Sequence, residues 1–243
     1  MALPRINTPT FSLELPSNKQ KIIYRPFQVK EEKILLIAQK SDKVDDQIRA
    51  IKQIIKNCIL EPEDFDVDSI ASFDLEYIFL KLRAKSVGEI VKIKIIPQER
   101  EGLPPMPAEV NIDELSPYFD PDHTDMVTID EKTQLKMKYP TVQDILQLDS
   151  KGDQERILFG ILRDSIDVIY SDGEVYEAKD YSSTELDEFL DSFSSKQFEK
   201  VQKFFATLPK IRKEIVYTWT NPEDEKDTHT ETVVLQGLMS FLS

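Results

Sequence analysis

The hydrophobic positions of this chain change period several times, and each change marks an element. Residues 10–15, Thr-Phe-Ser-Leu-Glu-Leu, alternate apolar with polar and place Phe11, Leu13 and Leu15 on one face of a strand. Turn residues follow at Pro16-Ser17-Asn18-Lys19, and residues 21–25 read as the returning strand of a hairpin. Arg25 precedes a proline, which biases its backbone toward the extended region, while Pro26 fixes its own φ and offers no N–H. Helix formers run on from Lys30, so residues 24–36 join a strand to a helix at a defined angle. Ile34, Leu35 and Ala38 lie at helical spacing. Ser41 or Asp42 then N-caps a second helix whose stripe is Val44, Ile48, Ile51, Ile55 and Cys58.

Ser72 reads as the cap of a third helix with Leu75, Ile78, Phe79 and Leu82 on its apolar face and Gly88 just beyond it. Ile90, Val91, Ile93 and Ile95 then mix with Lys92 and Lys94 in a half-buried strand ended by Pro97. Residues 98–107 are rich in proline and charge and predict a loop. Short extended pieces follow at 109–113, 125–129 and 133–138. With the strand at 90–96 they are expected to form one small antiparallel sheet whose solvent face carries Lys92, Lys94, Lys136 and Lys138. Thr141 caps a short helix bearing Ile145 and Leu148, and residues 154–166 form another amphipathic helix. Ser171-Asp172-Gly173 signals a tight hairpin. Two serine-led helices come next, with Leu186, Phe189 and Leu190 in one and Phe198, Val201, Phe204 and Phe205 in the other. Strands at 214–220 and 230–235 enclose a polar tip, and Gly237-Leu238-Met239-Ser240-Phe241-Leu242 ends the chain.

The fold class is therefore α+β: an N-terminal β-hairpin plus helices, a small antiparallel β middle region, and a helical region ending in a C-terminal β-hairpin. The division expected is residues 1–97, 98–140 and 141–243. With 243 residues, 40% apolar and 31% charged, the chain has the composition of a globular protein with a real core. No stretch approaches the roughly 18 continuous apolar residues of a membrane helix. The N-terminus lacks the apolar core of a signal peptide, which predicts synthesis in the cytoplasm. Cys58, the single cysteine, lies in an apolar helical pattern and reads as a buried, inert thiol.

Charge changes the picture. The net charge is −14, yet residues 1–60 carry 11 basic and 6 acidic side chains, and all the excess acid lies after them. An acidic chain of this kind is not expected to bind nucleic acid, because phosphate neutralisation needs a basic surface. It suits an assembly in which the basic end meets an acidic neighbour.

Candidate chemistry is sparse. His123 and His229 are the only imidazoles, and neither lies near a nucleophile-like Ser or Cys; both read as solvated loop residues. Asp64-Phe65-Asp66-Val67-Asp68 imitates a calcium loop, but the sixth and twelfth positions hold Ser69 and Leu75 instead of Gly and Glu. Six glycines form no phosphate-binding fingerprint. The expectation is no enzyme, no cofactor and no metal. Two rivals from other classes are a metal-dependent enzyme using Asp120, Asp122, His123 and Asp125, and an acidic nucleic-acid mimic that blocks a host protein.

The segment Tyr24-Arg25-Pro26-Phe27…Lys30-Glu31-Glu32-Lys33-Ile34-Leu35-Leu36, with Leu3-Pro4, Thr8-Pro9 and Leu15-Pro16-Ser17 before it, resembles the start of baseplate hub and hub-assembly proteins of T4-like contractile-tailed bacteriophages. The ending Leu235-Gln236-Gly237-Leu238-Met239-Ser240-Phe241 is similar to their Leu-x-Gly-Leu-x-x-Phe termini. Some relatives carry a cysteine zinc ribbon before that ending, whereas the hairpin here has no cysteine. The resemblance implies a structural subunit or assembly chaperone of the baseplate hub, acting in the host cytoplasm or in the virion tail baseplate. Its implied partners are other phage hub or tail proteins, with no membrane partner and oligomerisation left open. Arg25, Phe27, Lys30, Lys33, Leu238 and Phe241 are the expected partner-binding residues.

Overall fold

The computed structural model describes residues 7–38, 40–41, 43–148 and 154–241. Leu3, Pro4, Asp42 and Leu242, and the side chains of Val44, Ile145 and Leu148, lie outside the described residues. Strands β1 (Phe11–Glu14) and β2 (Lys21–Tyr24) form the expected hairpin, and β3 (Ile59–Glu61) completes their sheet. Helices α1 (Val29–Ala38), α2 (Val44–Cys58) and α3 (Ser72–Ser86) pack around it. Ser72 is the first residue of α3 and not its cap; Ala71 holds the cap position, with no side-chain bond.

The middle strands do not join into one sheet. β4 (Ile90–Ile95) pairs only with β5 (Met106–Asn111), while β7 (Met126–Thr128) and β8 (Thr133–Met137) pair away from them. β8 instead runs antiparallel to β9 (Ile166–Ser171), which turns through Asp172 and Gly173 into β10 (Glu174–Glu177). Both turn residues have positive φ, 50° and 84°, the conformation a two-residue hairpin turn requires. The lysines are thereby separated: Lys92 lies 3.6 Å from Glu109 on one sheet, and Lys136 lies 3.2 Å from Asp167 on the other. No single lysine face exists, because strand neighbours are chosen by which apolar faces meet and not by order along the chain.

Helices α4 (Val142–Leu148) and α5 (Gln154–Asp164) lead into β9. Thr141 caps α4 as expected, its backbone N–H donating to Asp144 Oδ2 at 2.7 Å. Capping boxes at Ser182/Glu185 and Ser194/Gln197 start α6 (Ser183–Asp191) and α7 (Ser195–Ala206). The chain closes with β11 (Lys210–Asn221) and β12 (Asp224–Gln236), a hairpin much longer than the alternation alone indicated, with β6 (Pro117–Tyr118) on the far side of β11.

Two apolar clusters result. The first is built on α2, α3, β2, β4 and β5 and also takes Ile211, Tyr217, Val233, Leu238 and Phe241 from the C-terminal end. The second joins β7, β8 and β9 to α5, α6 and α7 through Leu135, Ile166, Val201 and Phe204. Phe73 bridges them, meeting Tyr139 edge-on at 4.9 Å.

Candidate functional site: the strand-to-helix corner and the C-terminal seam

Arg25 sits where β2 ends, and its backbone N–H still bonds Cys58 O at 3.0 Å. Pro26 then turns the chain, and Phe27 is buried with its N–H donating to Ser86 Oγ of α3 at 2.9 Å. Gln28 occupies the N-cap of α1, and Glu31, three residues on, reaches back to accept its N–H at 2.9 Å. That reach carries the Glu31 carboxylate fully inside, opposite the Arg25 guanidinium. Arg25 Nη2 donates to Glu31 Oε1 at 3.1 Å and Nη1 to Oε2 at 3.4 Å, a bidentate pair. Nη2 also donates to Asn57 O at 2.8 Å and Nη1 to Pro26 O at 3.0 Å. Burial pushes the Glu31 carboxyl up, but the guanidinium and the Gln28 N–H outweigh it and hold it below the usual range. Cys58 is fully buried beside this pair, and burial raises its thiol to about 11, which keeps it protonated and inert.

Helix α1 carries four charged residues, Lys30 to Lys33, and then five apolar ones, Ile34 to Ala38, yet of all these only Glu31 and Ala38 are buried. Ile34 and Leu35 pack partly on the first core. Positions 29, 33, 36 and 37 fall on the opposite face by helical spacing. There Val29 is 65% exposed, Leu36 54% and Ile37 72%, with Lys33 exposed among them. Lys30 flanks the stripe and lies 3.4 Å from Glu31, its side chain 65% exposed. The lysines of this segment thus face solvent, while Arg25 and Phe27 are spent on holding the corner.

The expected C-terminal binding residues lie elsewhere and face inward. Gly237 adopts φ +74°, which suits glycine, and turns the chain from β12 into a 3-10 turn over Leu238–Phe241. Residues three apart eclipse in such a turn, so Leu238 and Phe241 enter the core together, 6% and 0% exposed. The tail is therefore part of its own fold and not an exposed apolar lure. Beneath it lies Glu76 of α3, within 3.8 Å of where a Gly237 side chain would begin. Burial raises its carboxyl to about 7, and the N–H groups of Leu238 and Ile211 lower it only in part.

Both histidines are packed rather than solvated, His123 in its loop and His229 within a strand. His123 is stacked with Tyr139 at 5.7 Å and lies 5.1 Å from Phe204, its Nδ1 2.9 Å from Thr207 Oγ1. Asp122 instead approaches Lys203, at 3.8 Å, so the Asp120–Asp125 loop does not converge as a metal site. His229 lies within β12, opposite Trp219, with Nε2 3.1 Å from the buried Glu231. Among the described residues, Glu99, His229 and Glu231 are the one group whose ligand atoms come within 4.8 Å of each other. Glu231 already accepts the backbone N–H groups of Gln98 and Glu99 at 2.6 and 2.8 Å, which makes it a clamp on the loop after β4. Arg100 reinforces the clamp through Asp227 at 2.7 Å, and Tyr217 donates to Pro104 O at 2.7 Å. No pair in this region places a base on a nucleophile.

The sequence pattern singled out Arg25 and the lysines, but not Glu31, the outward Val29–Ile37 stripe or Glu76. The three-residue spacing of Gln28 and Glu31 was the available signal for the first. For the second it was the unbroken apolar run from Ile34 to Ala38, which puts apolar side chains on more than the one face a surface helix covers. A family model described as T4 bacteriophage base plate protein matches residues 8–243. Comparison with curated proteins and with solved structures found no significant match.

Proposed function

The chain belongs to the T4 bacteriophage base plate protein family, and from that premise we propose that it acts through protein–protein contacts in assembling the baseplate hub, as a structural subunit or assembly chaperone and without chemistry of its own. One observation carries this reading: α1 holds an uncovered apolar and basic face on a corner braced by a buried ion pair. An apolar stripe left exposed on a rigid element is the usual mark of a protein contact. Lys30 and Lys33 rim the stripe and favour an acidic hub or tail protein. Arg25 and Phe27 contribute by setting the angle of α1, and Leu238 and Phe241 by anchoring the C-terminal hairpin. Among the described residues no helix is long and apolar enough to cross a membrane.

Co-purification of the Lys30→Glu/Lys33→Glu double variant with tail proteins from infected cells tests the contact. Loss of the partners with unchanged circular dichroism is expected; full retention places the contact elsewhere. Stoichiometry in purified tails separates the two roles, since a resident subunit remains in finished particles and an assembly factor does not.

A further inference from the structure

We propose that the outer edge of β12 pairs with the same edge of a second copy of this chain, antiparallel and centred on Thr230. This inference stands on β12 and is independent of the α1 surface. An unpaired strand edge is a template for another strand, and proteins ordinarily blunt it with short length, lysine or proline. The other edges here follow that rule. β1, β3, β6, β7 and β10 have four residues or fewer, β4 carries Lys92 and Lys94, and β5 contains Pro107. β12 departs from it. It has 13 residues, lies at the end of its sheet, and from Thr228 to Gln236 contains no lysine, proline or glycine. Among the described residues its backbone makes no hydrogen bond to backbone outside the hairpin.

The sequence along that edge is self-complementary in one register. Residues opposite each other in an antiparallel pair share a face, so the two-fold axis must pass through a residue. Centred on Thr230, the pairing sets Thr228 against Thr232 and Thr230 against itself on the exposed face, and His229 against Glu231 on the inner face. Cross-strand threonine pairs favour association. Lys226 meets Val234 and Asp227 meets Val233, so no like charges oppose one another. Moving the axis to residue 231 sets Glu231 against itself, and moving it to 229 sets Asp227 against Glu231. Axes at 232 and 233 oppose no like charges but align at most one threonine with a threonine, so the threonine pattern is what favours a second copy centred on Thr230.

Sedimentation of the full chain over a concentration series tests the pairing. A dimer is expected. Thr230→Lys and Thr230→Glu, each placing like charges at the axis, should each raise the dimer Kd about tenfold or more. Thermal unfolding of the dilute variants, expected to match that of the dilute parent, reports on the fold. Mixing the two variants should restore dimers, because opposite charges then meet at residue 230. A chain that stays monomeric at every concentration overturns the inference, as does a dimer indifferent to both substitutions or a mixture that fails to recover. A monomeric chain that takes up an added tail protein, with the same sensitivity at Thr230, assigns the edge to a different occupant and also overturns it.

Discussion

At the corner between β2 and α1, a buried carboxylate faces a guanidinium; at the seam under the C-terminal hairpin, the half-buried carboxylate of Glu76 faces backbone N–H groups. Glu31 is held ionised below its ordinary value, whereas Glu76 is pushed up to about 7. Desolvation raises both, so the difference comes from the partner. Arg25 brings a full charge and two parallel hydrogen bonds, and the amides beneath Gly237 bring partial charges alone. The corner is therefore held by an ion pair that cannot lose one member cheaply. The seam is held by apolar burial and tolerates, below neutral pH, a protonated acid. Asp74 stands between the two cases. It is fully buried, raised by desolvation, and linked to the β1–β2 turn through the Ser17 N–H at 3.2 Å.

The sharpest way to break this contrast is Arg25→Ala, which strands the Glu31 charge inside. A loss of about 3–5 kcal/mol in denaturant unfolding is expected; a loss under about 1 kcal/mol would mean that the corner does not depend on the pair. Leu238→Ala probes the seam, where apolar contact does the holding, and should cost about 2–4 kcal/mol. Removing a neighbouring charge should matter much less there.

The two acids also give pH effects of opposite sign. Glu31 binds its proton more weakly in the folded state, so its stabilisation is present above its ordinary 4.5 and is lost as pH falls through the lowered folded value. Glu76 binds its proton more tightly when folded, so its contribution is complete below 4.5 and is lost as pH rises through about 7. Glu76→Gln should accordingly stabilise the protein by about 1–3 kcal/mol at pH 8 and leave it nearly unchanged at pH 4. Equal effects at both pH values would show that Glu76 is not ionised within the seam. The smallest effect expected is on the outward face of α1: Lys33→Glu should shift stability by no more than about 0.5 kcal/mol. A larger shift in thermal unfolding would give that face a folding role in place of a binding one.

Much of the local structure was legible along the chain, because its causes are local. Pro26 ends β2, Asp172-Gly173 makes the β9–β10 turn, and Ser182 and Ser194 start their helices through side chains within four residues. The α+β class, both terminal hairpins and the buried state of Cys58 followed from periodicity. The pairing of β8 with β9 and the separation of the lysines did not. Neither did the packing of His123 against Tyr139 and Phe204.

For the candidate site, the sequence by itself determined a basic first quarter and a strand-to-helix corner with Arg25 at its bend. Only the tertiary structure decided that Glu31 pairs with Arg25, that α1 turns Val29, Leu36 and Ile37 outward, and that Leu238 and Phe241 turn inward. The physical reason is that propensity and capping act over three or four residues. Which apolar face is covered is settled by contacts between segments as distant as α3 and the end of the chain, such as the seam that closes over Glu76.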